Sequence, residues 1–115
     1  MMIKPAITFD DFNKTDIRIG TIIEVNDFPK AKRPAYQLVI DFGDLGTKKS
    51  SAKITQLYDK EDLLNKQVLA IVNFKKKQIA NFVSECLLLG VENDKKEIVL
   101  LQASNPAVKK GAQVK

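Results

Sequence analysis

From Ile17 onward apolar and polar positions alternate. Ile17, Ile19, Ile23 and Val25 fall on one side, and Arg18, Gly20, Ile22 and Glu24 on the other. That is the period of a strand with one well-buried face. Gly20 in its middle predicts a bulge or sharp bend, as at a barrel corner. "NDFPKAKRPA" then reads as a loop, broken by prolines at positions 29 and 34. "YQLVIDFG" alternates again and puts Tyr36, Leu38, Ile40 and Phe42 on one face. "GDLG" turns the chain, and "TKKSSAKIT" continues as a polar strand. "QVLAIVNF" and "SECLLLGV" are apolar β-rich runs, "ENDKKE" reads as a hairpin turn, "IVLL" as another strand, and "NPAVKKGAQVK" as a turn with a short strand.

Two stretches carry helix starts. In "ITFDDF" Thr8 caps, Asp11 stands three residues on, and Ile7 and Phe12 hold the staple positions. In "YDKEDLLNKQ" Asp59 caps, Asp62 stands three residues on, and Tyr58 and Leu63 hold the staple positions. The pattern predicts five to seven short strands, with one short helix between the third and fourth. Many short strands and a glycine bend point to a small closed barrel. A helix after the third strand is the layout of the OB-fold, a five-stranded Greek-key barrel. The expected class is therefore all-β.

Composition narrows this further. At 115 residues the chain is one domain, and 44% hydrophobic with 29% charged residues makes it globular rather than disordered. The absence of histidine removes Ser-His and Cys-His nucleophiles, His metal ligands and imidazole proton shuttles. A single cysteine allows no internal disulfide, and the N-terminus has no charged segment followed by a long apolar run. No stretch approaches a membrane span, so a cytoplasmic protein without membrane insertion is expected.

The net charge of +5 suggests a polyanionic partner. The cations cluster. Lys30, Lys32 and Arg33 share a loop; Lys48, Lys49 and Lys53 lie on or beside the third strand; Lys75, Lys76 and Lys77 follow the fourth. On a barrel these regions can converge on one rim and contact phosphates. Tyr36, Phe74 and Phe82 lie near them and could stack a base. Lys95 and Lys96 are balanced by Glu92, Asp94 and Glu97, while Lys109, Lys110 and Lys115 read as a solubilising tail.

Catalytic signals are weak. Cys86 lacks a histidine and reads as a small buried hydrophobe. Ser50 and Ser51 beside Lys49 and Lys53 would alternate across a strand instead of forming a Ser-Lys pair. "GDLGTKKS" lacks the Gly-Lys-Ser/Thr spacing and the following helix of a phosphate loop. Asp10, Asp11 and Asp16 suit capping better than metal. No enzyme, metal or cofactor is expected.

The runs "FPKAKRPAYQL", "SSAKIT" and "FVSECLLLG", taken together, resemble the CsaA family of export-associated chaperones over nearly the whole chain. That family is similar to a wider tRNA-binding group, whose members include methionyl-tRNA synthetase C-termini. The resemblance implies an OB-fold homodimer, with a helical extension at 1–14, a barrel at 15–92 and a C-terminal extension at 93–115. Phe9 and Phe12 would then belong to the dimer interface. Non-native polypeptides would be the partners, held by Phe28, Pro34, Tyr36, Phe74 and Phe82. tRNA is the alternative partner. Against the tRNA-binding signature, Ser84 matches its serine and Asn73 its turn asparagine. Cys86 stands where glycine is usual, Leu87 where methionine is usual, and Lys76 where proline is usual. Asn73, Ser84 and Leu87 thereby join Lys30, Lys32, Arg33, Lys49, Lys53, Lys75, Lys76 and Lys77 as the implied RNA contacts.

Overall fold

The computed structural model describes residues 2–115. The alternating runs become β1 (Ile17–Asp27), β2 (Tyr36–Asp41), β3 (Thr47–Ala52) and β4 (Gln67–Ile71). Beyond them lie β5 (Lys77–Ile79), β6 (Phe82–Ser84), β7 (Leu87–Leu88), β8 (Gly90–Glu92) and β9 (Ile98–Leu100). Helices α1 (Phe9–Asn13) and α2 (Lys60–Leu63) are short, and a 3-10 turn spans Gly43–Leu45. Strands are more numerous than the expected five to seven because "SECLLLGV" does not form one strand and an unexpected β5–β6 hairpin precedes it. β6 pairs with β5, β7 with β4, and β8 with β9.

Five strands make one antiparallel sheet in the order β3-β2-β1-β4-β7. Its two edge strands, β3 and β7, each lie two antiparallel steps from β1 and so run parallel to each other. The sheet curls until they meet. The Glu85 N–H donates to the Lys49 carbonyl at 2.7 Å, and the Lys49 N–H donates to the Glu85 carboxylate at 2.9 Å. The buried Ser50 hydroxyl donates to the Cys86 carbonyl at 2.9 Å. The result is a nearly closed five-stranded barrel with α2 between β3 and β4, the expected OB-fold.

The β2 alternation holds. Tyr36 is buried, and Leu38, Ile40 and Phe42 are fully so, packed with Ile22, Leu63, Val68 and Ala70. The β1 alternation does not hold throughout. Ile22 is fully buried, whereas Ile23 is 42% exposed. A β-bulge between Ile22 and Glu24 adds one residue against β2 and reverses the parity of the strand. Val25 packs against the core beyond it. The irregularity thus falls three residues after Gly20. A Cβ on Gly20 would lie 2.6 Å from Ile40 Cγ2 and 2.7 Å from Phe42 Cε1. Glycine is needed there for close approach of β1 to the β2 side chains.

Both capping predictions are met at their acidic residues. The Asp11 carboxylate accepts from the Thr8 N–H at 3.1 Å, and Asp62 accepts from the Asp59 N–H at 2.9 Å. The C-terminal segment is more than a solubilising tail. It lies along the start of β1, with the Gly111 N–H donating to the Ile19 carbonyl and the Val114 N–H to the Ile17 carbonyl, both at 2.8 Å. Lys110 meets Asp41 at 3.1 Å and Lys109 meets Asp44 at 3.7 Å. No helix among the described residues is long and apolar enough to cross a membrane.

Candidate functional site

The barrel closes at Lys49 and opens beyond it. Two adjoining cavities, of ≈ 990 and ≈ 490 Å³, lie beside the last residues of β3 and share Ser51, Lys77, Ile79 and Leu87. Their combined floor is apolar. It includes Ile54 from the segment after β3, Ile79 from β5, Leu88 from β7, and Ile98 and Leu100 from β9. Loop residues Phe28, Ala31 and Ala35 add to the larger cavity, and Phe74 to the smaller.

All three basic clusters reach this face. Lys30, Lys32, Arg33, Lys53 and Lys77 line the larger cavity, and Lys75 and Lys77 the smaller. Among the described residues none of these six cations forms a salt bridge. The middle lysine of the "KKK" run behaves differently. Lys76 is drawn to the Glu85 carboxylate at 3.6 Å. Lys49 also stands apart from the cavities, with its ammonium 5.5 Å from the centre of the Phe82 ring. The Phe82 and Phe28 rings tilt against each other at 5.5 Å. Lys49, Phe82 and Phe28 thus form a stack that supports the loop wall.

The remaining expected residues divide. Ser84 and Leu87 line the smaller cavity, and Phe74 is 55% exposed there. Pro34 is exposed but lines neither cavity. Tyr36 is a correction: its ring is buried in the core and its hydroxyl donates to the Tyr58 carbonyl at 2.8 Å. It cannot stack a base or line a groove. Asn73 is exposed, but its side-chain amide is engaged within the chain. Its Oδ1 accepts from the Asp16 N–H at 2.9 Å, and its Nδ2 donates to the Lys14 carbonyl at 2.7 Å. It braces the end of β4 against the link from α1. Sequence reasoning missed Ile79, Leu88 and Ile98 as floor residues. The two-residue spacing of Lys77 and Ile79 on one strand was the available signal.

Electrostatics assign Glu85 and Cys86 to structure. The Lys49 N–H holds the Glu85 carboxyl below the usual range; burial opposes it, and the charges of Lys76, Lys49 and Lys48 add to the lowering. Burial pushes the Cys86 thiol up to about 11, so it is a thiol and not a nucleophilic thiolate near neutral pH. A carboxyl held below its unfolded value stabilises the fold above that value. The contribution is lost as pH falls through the folded value. Glu85→Gln is therefore expected to flatten the loss of stability below about pH 4.5, the ordinary value of this carboxyl. Urea titrations between pH 3 and 7 (a range set by the ordinary carboxylate pKa of roughly 4) check this. Parallel acid limbs for the variant and the parent would contradict it.

The family model "Putative tRNA binding domain" matches residues 17–113. A methionine–tRNA ligase of Bacteroides fragilis is 38% identical over 113 residues, which is 98% of this chain but only 16% of the ligase. The ligase of Pyrococcus abyssi is 36% identical over 109 residues, covering 95% of this chain and 14% of its own length. The chain therefore spans a small part of the curated relatives it matches. Among solved structures, the CsaA chaperone protein of Picrophilus torridus superposes with a TM-score of 0.89 at 48% identity, covering 96% of this chain and 100% of that one. Chaperone CsaA of Bacillus anthracis gives 0.90 at 42% identity with the same coverage.

Proposed function

The chain belongs to the tRNA-binding domain family, and from that premise we propose that it is a non-catalytic, cytoplasmic, CsaA-type chaperone that holds non-native polypeptides and assists their export. The carrying observation is the ≈ 990 Å³ cavity, whose floor is apolar and whose edge carries Lys30, Lys32, Arg33, Lys53 and Lys77. An apolar floor takes up the hydrophobic side chains that a native protein would bury. The cations keep the face hydrated and attract acidic segments. The similarity to two CsaA chaperones over 96% of the chain supports this reading.

A second reading, tRNA binding without catalysis, is favoured by the six cations that have no salt bridge among the described residues. The two readings respond differently to salt. Affinity for tRNA should fall steeply as salt rises, because phosphate contacts release counterions. Suppression of aggregation of an unfolded client should hold or strengthen, because burial of apolar surface does not weaken with salt. Both are measured on one preparation. If suppression fades with salt in step with tRNA affinity, the apolar floor is not what holds the client.

The proposal includes a homodimer. Ile3 is 98%, Ile7 69% and Phe9 80% exposed, and α1 buries none of its residues on its own barrel. The Phe9 and Phe12 rings meet edge to face at 6.5 Å and present an apolar corner. A second copy covering this corner removes it from water. Light scattering at micromolar concentration should give twice the chain mass, and Phe9→Asp should shift it to monomer. A monomeric parent chain rules the dimer out.

A further inference from the structure

We propose that the free edge of β3 docks an extended peptide through main-chain pairing at Ser51. This rests on the polypeptide-holding reading and specifies how the client is recognised. In an antiparallel pair, successive residues turn their N–H and C=O groups alternately toward the partner strand and away from it. The Lys49 N–H and C=O are both taken up by Glu85, on the side of β3 away from β2. Ser51, two residues on, points the same way. It lies past the last bond that closes the barrel.

The groups of Ser51 are not taken up. Among the described residues its N–H has no hydrogen-bond partner outside the β3 ladder, whose other side is the one that faces β2. Its carbonyl receives only a marginal 3.5 Å approach from the Ser50 hydroxyl. β7 lies near β3 but forms no ladder with it; its Leu87 and Leu88 pair with β4. Ser51 borders both cavities, so these groups face open space. An open strand edge beside a cavity is a site for one added strand.

The surroundings suit a peptide in that position. A strand directs alternate side chains to opposite faces. One set would meet the apolar floor at Ile54, Ile79 and Leu88, with Lys77 beside Ile79 at its edge, and the other would meet Lys32 and Lys53. Those cations have no salt bridge among the described residues, so the complementary segment alternates apolar and acidic residues. Main-chain pairing also makes recognition tolerant of sequence, as a holder of many clients requires. A nucleic acid has no run of N–H and C=O groups at strand spacing, so it could meet single groups of this edge but not continue the ladder.

The test uses the full chain and a short blocked peptide alternating leucine and glutamate. Binding is followed by titration, and the Ser51 amide by hydrogen exchange. The Ser51 amide should exchange quickly in the free protein and at least about tenfold more slowly at saturation, as expected for a newly made hydrogen bond. The same peptide methylated on its backbone nitrogens keeps its side chains but loses its donors. It should bind at least about tenfold more weakly. If the parent peptide binds but Ser51 exchange is unchanged, or the methylated form binds equally well, main-chain docking is wrong while the holding reading stands. If neither peptide binds and only tRNA does, the holding reading fails and this inference falls with it.

Discussion

Replacing Arg33, Lys53 and Lys77 together by alanine is expected to lower the slope of log affinity for tRNA against log salt by about 2–3. The three come from different parts of the chain: the loop before β2, the segment after β3, and β5. Only the barrel brings them to one cavity. None is neutralised by a carboxylate among the described residues, so each charge is available to a phosphate. Each lost phosphate contact removes roughly 0.7–0.9 from the slope. Stability should change little, because Arg33, Lys53 and Lys77 are exposed. Lys76→Ala is the matched control. Its ammonium is already drawn to Glu85, and its loss should move the slope less than that of any of the three. An unchanged slope in the triple variant, measured over a fourfold range of salt, would remove this face from tRNA binding.

Phe42→Ala should cost about 3–5 kcal/mol of folding stability. The ring is fully buried at the end of the twofold run of β2. It lies against the Cα of Gly20, where even a methyl group would collide with it. The Phe42 N–H also donates to the Gly46 carbonyl at 2.9 Å and holds the turn into β3. That backbone bond survives the substitution, so the loss isolates the ring. Domains of this size have about 5–15 kcal/mol in total, and the variant should unfold at much lower urea with a similar dependence on denaturant. A cost under about 1 kcal/mol would mean that β1 collapses into the space.

Much of the site was legible as chemistry before it was legible as geometry. Three groups of cations and the lack of histidine were visible in the chain, and they excluded His-based catalysis while suggesting a polyanion or acidic partner. Their arrangement was not visible. Lys75, Lys76 and Lys77 are identical in type, yet the first and third border the cavities and the second pairs with Glu85. Asn73 and Tyr36 looked like free surface chemistry, yet Tyr36 is buried, and the exposed Asn73 amide is engaged by Asp16 and Lys14, residues distant in sequence.

The same division runs through the fold. Patterns contained within a few residues could be read directly: the β2 alternation from Tyr36 to Phe42, the acidic caps at Asp11 and Asp62, and the turn after Phe42. These depend on backbone geometry and near neighbours alone. The bulge after Ile22, the breaking of "SECLLLGV" between separate strands and the fastening of the C-terminal segment to β1 depend on which distant strand offers a partner. So does the open edge at Ser51. The backbone bonds of barrel closure end at Lys49, where Glu85 takes up its groups, and no ladder joins β7 to β3 beyond it. Local sequence decides what each segment can become, and long-range pairing decides which backbone groups are left free to bind.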